Sequence, residues 1–166
     1  MSKPKSMHEF DDPTKGGPLF SVRFLIALLL IAAGIAYVVI WTLYVRDLYT
    51  FERTVPAPRG GAPDPLVPGT AKLDDWNWLI GFGVLFLGLA ISAHPATPLG
   101  RGRGVVVGML GCFLIGLLWI CTFYVFSDKI ASDPNGFWLL GSLGQLNLLV
   151  GIGFMAVGFT FATRWE

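Results

Sequence analysis

This sequence is short of charge. Of its 166 residues 14% are Asp, Glu, Lys or Arg, against 54% hydrophobic, and its mean hydropathy is +0.63. A water-soluble domain of this size needs more charge to cover its surface. The formal net charge is +1, which gives no basis for holding a polyanion such as a nucleic acid. Cysteine is equally scarce. Cys112 and Cys121 stand nine residues apart in one apolar run, so a helix places them on opposite faces and about 13 Å apart along its axis. That spacing excludes a disulfide between them and predicts two packed thiols. His8 and His94 have no second ligand at metal-binding spacing, so neither a metal nor any other cofactor is expected. The first 20 residues are polar and carry no secretory signal.

Long apolar runs are what the sequence has instead. Residues 24–45 form an uncharged run of 22, roughly 33 Å as a helix and enough to cross a bilayer. Residues 78–93 form a second run of 16, short for a span, which is expected to recruit Trp76, Asn77 and His94 at its ends. Residues 105–126 and 146–163 supply runs of 22 and 18. None shows the polar stripe of a soluble surface helix. None contains Asp, Glu, Lys, Arg or His, the groups that mark proton relays and ion paths inside membranes. A proton-coupled exporter, an enzyme and a protein with a small-molecule substrate are all disfavoured on that ground.

One motif occurs twice. Asn77-Trp78-Leu79-Ile80-Gly81-Phe82-Gly83 is followed by Gly88, and Asn147-Leu148-Leu149-Val150-Gly151-Ile152-Gly153 by Gly158. Asn, a β-branched residue and three glycines thus recur at one offset of 70. Repeats of this kind define architecture before any local reading does. The expected fold is an all-α membrane protein: four transmembrane helices, arranged as two tandem helical hairpins in parallel repeat, with no soluble domain. Residues 1–22 read as a flexible cytoplasmic tail, 23–95 as the first hairpin, 96–104 as a short basic cytoplasmic loop and 105–166 as the second hairpin. Two hairpins of like orientation are related by an axis along the membrane normal, which predicts a pseudo-two-fold bundle with an interface between the hairpins.

Orientation follows from the basic residues between runs. Lys3, Lys5, Lys15, Arg23, Arg101, Arg103 and Arg164 fall on one side, and Arg46, Arg53, Arg59, Lys72 and Lys129 on the other. The positive-inside rule favours both termini in the cytoplasm, with Arg101 and Arg103 crowded into the short loop where the rule counts most. Trp41, Tyr44, Trp76, Trp78 and Tyr124 gather near the outer interface and Trp165 near the inner one, which reads them as interfacial anchors. Arg101, Arg103 and Arg164 are anchors of the same kind, and Gly100-Arg101-Gly102-Arg103-Gly104 is a basic turn touching lipid headgroups. The first external loop, over 54–70, holds five prolines and three glycines and is expected to be extended and mobile. The second covers roughly 127–145.

Small residues define candidate contact faces. Gly81, Gly88 and Ser92 share one helix face, and Gly151, Gly158 and Ala162 repeat it. Gly108, Cys112 and Gly116 form a ladder at four-residue steps, and Ala32 and Ala36 a shorter one. Such stripes let membrane helices approach closely, either within the chain or against a partner helix. Asn77 and Asn147 sit where a helix N-cap belongs.

The second half carries a family resemblance. Gly116-Leu117-Leu118-Trp119-Ile120, then Phe123-Tyr124-Val125, Asn147, Val150-Gly151-Ile152-Gly153, Gly158 and the closing Ala162-Thr163-Arg164-Trp165-Glu166 resemble the CrgA family of actinobacterial cell-division membrane proteins. The resemblance covers roughly residues 105–166. The first half is similar but more divergent. Asp75-Trp76-Asn77 matches the family's Trp-Asn, and Gly34-Ile35-Ala36-Tyr37-Val38 stands where the family has Gly-Leu-x-Trp-Ile. Thr42-Leu43-Tyr44-Val45 meets Thr122-Phe123-Tyr124-Val125 only with a two-residue shift. The chain thus resembles a duplicated, four-span variant.

The resemblance implies a non-enzymatic scaffold or regulator of cell division, enriched at the septum in the plasma membrane. CrgA-like proteins modulate assembly of the tubulin-like FtsZ ring and contact the septal peptidoglycan machinery. The implied partners are the bilayer, divisome membrane proteins and FtsZ. The alternative is a small accessory subunit of another membrane assembly, such as a respiratory complex, since such subunits also lack intramembrane charge.

Overall fold

The computed structural model describes residues 21–53, 60–133 and 137–163. Most of the expected tail, together with Arg164 and Trp165, lies outside the described residues. Every regular element among the described residues is helical: α1 (Val22–Arg53), a short 3-10 helix (Thr70–Leu73), α2 (Trp76–Ser92), α3 (Arg103–Val125), α4 (Ser127–Ser132), α5 (Trp138–Leu143) and α6 (Leu146–Ala162). α1 and α3 are long and apolar enough to cross a membrane, whereas α2 and α6, 17 residues each, are shorter apolar helices. α1 runs about two turns beyond the apolar run that predicted it. Nothing in Arg46–Arg53 breaks a helix, the Thr50 hydroxyl donates back to the Arg46 carbonyl at 2.9 Å, and the Arg53 guanidinium lies 4.4 Å from the Tyr49 ring.

α1 packs along α2, and α3 along α6. The two hairpins meet through α2 against α6 and through α5 against α1. Phe86 and Phe154 stand edge to face with centroids 5.1 Å apart, and Phe82 meets Trp119 at 6.2 Å in the same manner. One buried cluster, including Val38, Trp41, Trp78, Phe82, Leu143 and Val150, occupies the end of the bundle nearer α4 and α5. A second, of Ala93, Val105, Cys112, Val157 and Phe161, occupies the opposite end.

The connections at the α4–α5 end are built into the fold. Leu143, from the last turn of α5, is 3% exposed and lies in the core beside Trp41 and Trp78. Thr70 is buried, and Pro65, Leu66 and Val67 border a small crevice beside Tyr37, Ile40, Trp41 and Tyr44 of α1, with Leu66 and Val67 still exposed. The end of the first connection is held to the bundle through Thr70, whose carbonyl accepts from Asn77 Nδ2. Residues 54–59 are outside the described set.

Two expected interfacial rings are core residues instead. Trp41 and Trp78 are 5% and 3% exposed and pack against each other at 6.5 Å, edge to face. Belt and core positions lie within one turn of each other at a helix end, and here the connections roof the bundle so that both indoles are enclosed. Trp76 and Tyr124, by contrast, are largely exposed. Only Cys112 is a packed thiol; Cys121 is exposed on the outward side of α3.

Candidate functional site

Two asparagines organise the bundle, and neither is an N-cap. Asn77 lies one residue inside α2 and Asn147 one residue inside α6, and the residues before these helices make no side-chain capping bond. Both side chains are fully buried. Asn77 Nδ2 donates to the carbonyls of Thr70 and Asp74 at 2.9 and 2.8 Å, and its Oδ1 accepts from the Tyr37 hydroxyl at 2.7 Å. Asn147 Nδ2 donates to the carbonyls of Leu140 and Gly144 at 2.7 and 2.8 Å, and its Oδ1 accepts from Trp119 Nε1 at 3.2 Å. A cap accepts from backbone N–H groups; these amides donate to carbonyls of the preceding connection. Each one ties the start of its helix to the seventh residue before it and to the facing helix.

The residues before the asparagines correspond as well. Asp74 has φ 44° and ψ −123°, and Gly144 has φ 51° and ψ −126°. This turn conformation favours glycine, and the first hairpin holds it with an aspartate.

The glycine stripes are spent inside the chain. A Cβ on Gly34 would lie 2.6 Å from the Leu85 nitrogen and 2.9 Å from the Gly81 carbonyl oxygen; one on Gly116 would lie 2.6 Å from the Gly151 carbonyl oxygen. Gly81 faces Val38, Gly88 faces Ile31 and Ala27, Gly151 faces Ile120, and Gly158 faces Phe113 and Met109. Gly108 sits under the Phe161 ring. Cys112 and Ser92 are buried, Ser92 Oγ donating to the Leu89 carbonyl at 2.6 Å. Ala162 is partly buried at the end of α6. Ala32 and Ala36 are exposed on α1.

These contacts recur in register. Positions in α1 and α3 match at an offset of 82 residues, as Ala27 with Met109, Ile31 with Phe113, Gly34 with Gly116 and Val38 with Ile120. Positions in α2 and α6 match at 70. The difference of 12 is the extra length of the first connection. Tyr37 and Trp119, the two partners of the asparagines, obey the same offset. So do Trp41 and Phe123, both buried. The two-residue shift suggested by the threonine match is therefore absent; Thr42 and Thr122 simply bond back to their own helices, at Val38 and Leu118.

The opposite end is closed by a turn rather than by a headgroup-seeking loop alone. Ser21 Oγ donates to the Ala96 carbonyl at 2.9 Å, and Arg23 lies 2.8 Å from His94 Nε2. Thr97 is buried and donates to the carbonyls of Ser92 and His94. A Cβ on Gly100 or Gly104 would collide with the carbonyl of His94 or Pro98, so these two glycines serve the turn. Arg101 and Arg103 follow on its outer side, partly and largely exposed respectively.

Together these features define a class: a small all-helical protein of apolar, glycine-packed hairpins, two of whose helices are long enough to cross a membrane. The family model described as cell division protein CrgA matches residues 98–166. The cell division protein CrgA of Streptomyces avermitilis is 40% identical over 68 residues, covering 41% of this chain and 71% of the relative. No solved structure matches. The chain belongs to the CrgA family of cell division proteins, and the matched region contains Trp119, Asn147 and the Gly116–Gly151 crossing.

Proposed function

We propose that this protein is a non-enzymatic, four-span scaffold or regulator of the division site, made of two CrgA-like hairpins in tandem. The observation that carries this reading is the recurrence of one contact set. The family match lies on the second hairpin, and the first reproduces its asparagine clamp and its glycine crossing at fixed offsets. On this reading α2 and α6 also cross the bilayer, both termini are cytoplasmic, and the two hairpins run in parallel about a pseudo-two-fold axis. The α2–α6 contact is the interface such an arrangement needs.

The glycine faces then serve packing within the chain, and partners meet the outward faces of the long helices. Leu114 and Leu118 of α3 are more than half exposed and present such a face. The partners on this reading are membrane components of the septal peptidoglycan machinery, with FtsZ reached from the cytoplasmic side. The test is a fluorescent fusion followed through the cell cycle, with photo-crosslinking from Leu114 and Leu118. Septal enrichment and capture of divisome membrane proteins are expected. An even distribution over the membrane at every stage would sink the proposal.

A further inference from the structure

The seam between the hairpins is not filled. A cavity of about 380 Å³ lies between α2 and α6, with Trp78, Leu143 and Leu146 at its α4–α5 end. Its size falls in the roughly 300–1,000 Å³ range of small-molecule sites, but those sites carry a few placed polar groups, whereas every side chain lining this one is apolar.

The cavity has an identifiable origin. The Phe86 ring lies over Gly153, where an added Cβ would come within 2.3 Å of it. At the α2–α6 offset of 70, Phe86 corresponds to Ala156 and Gly153 to Gly83. A ring at 156 would cover Gly83 as Phe86 covers Gly153. With alanine there, nothing lies within 4 Å of a Cβ built on Gly83, and the half of the seam beside it stays open.

We propose that this cleft holds the acyl chain of a membrane phospholipid. The inference rests on the membrane-embedded reading above, because within a bilayer the medium at an open apolar seam is hydrocarbon, and filling the space restores dispersion contacts that an empty wall forfeits. The cleft continues the α2–α6 interface and spans residues 78–86 of α2, about 12 Å of helix. Trp78, Leu143 and Leu146 line one end of the cleft, and no lining side chain offers a polar partner. A thin, flexible chain entering from the side fits.

The test uses the full chain in phosphatidylethanolamine–phosphatidylglycerol vesicles doped with a phospholipid that carries a photoactivatable diazirine near the end of one acyl chain. Adducts are mapped by mass spectrometry. The expected result is labelling of α2 and α6 around the cleft, together with labelling of the outward face of α3 at Leu114 and Leu118. Ala156→Phe and, independently, Gly83→Leu should abolish the cleft adducts and leave the α3 adducts and the helical content unchanged. Cleft adducts that survive both substitutions, or a labelled α3 with an unlabelled cleft in the unaltered protein, overturn the inference. Crosslinking of the cleft to another polypeptide overturns it too. If α3 is also unlabelled, the membrane-embedded reading fails, and the inference with it.

Discussion

Asn147 accepts the indole N–H of Trp119 at 3.2 Å while its amide nitrogen holds two carbonyls of the connection before α6. In the first hairpin Tyr37 takes the place of Trp119, with a hydroxyl in place of the indole N–H, and the geometry around Asn77 is kept. The invariant part of the device is the amide, which both donates and accepts. This buried, fully bonded group fixes where each hairpin closes, and leaving its partners unpaired is costly.

Asn147→Asp discriminates this role from capping. Aspartate is as good an N-cap as asparagine, so a cap would lose almost nothing. Here the substitution removes both donations and sets a carboxyl oxygen against two carbonyl oxygens. We expect a loss of about 2–4 kcal/mol, read as a lowered unfolding midpoint in detergent, and a similar loss for Asn77→Asp. Unchanged midpoints would return the asparagines to the capping role.

Asp74→Gly is expected to stabilise the protein. Asp74 holds φ 44°, and its counterpart Gly144 holds nearly the same angles without a Cβ. Relief of that strain exceeds the added freedom of glycine in the unfolded chain, with a net gain of about 1 kcal/mol. Thermal unfolding in detergent measures it, and a loss of stability would contradict the account of this turn.

Gly116→Ala and Gly111→Ala should move stability in opposite directions. An added methyl at Gly116 meets the Gly151 carbonyl oxygen at 2.6 Å, whereas at Gly111 it meets nothing within 4 Å. The first should cost about 1–3 kcal/mol through overpacking, and the second should gain up to about 1 kcal/mol from helix propensity. Unfolding titrations of the two variants side by side check the sign of each.

The proposed topology has its own test. Single cysteines placed at Asp64 and Asp128 in a variant lacking Cys112 and Cys121 should react with a membrane-impermeant maleimide in intact cells. A cysteine at Arg103 should react only after permeabilisation. Any other pattern contradicts cytoplasmic termini and four spans.

The four main helices were legible because uncharged runs of such length have few other uses, and the glycine spacing of seven marked the faces that now meet. Asn77 and Asn147 stand out in the sequence as paired positions, but a cap and a first-turn donor occupy neighbouring positions and look alike in one sequence. The burial of Trp41 and Trp78 is hidden for a related reason: the belt and the core edge draw on the same residue type. The burial of Thr70 at the end of the first connection is hidden because proline content reports chain stiffness, not contact. The match of Asp74 with Gly144 had no signal in residue type at all; only the backbone angles reveal it.

Leu143 has a consequence for synthesis. It completes the core around Trp41 and Trp78, yet it follows the end of α2 by about 50 residues. At roughly 5–20 residues per second, the first hairpin leaves the ribosome and waits about 3–10 s before the side chain that finishes its interior exists. During that interval its indoles are an unfilled surface, open to lipid, to a chaperone or to the nascent chain's own later helices. The protein is thus assembled out of order: its first-made half is finished by a residue of its second.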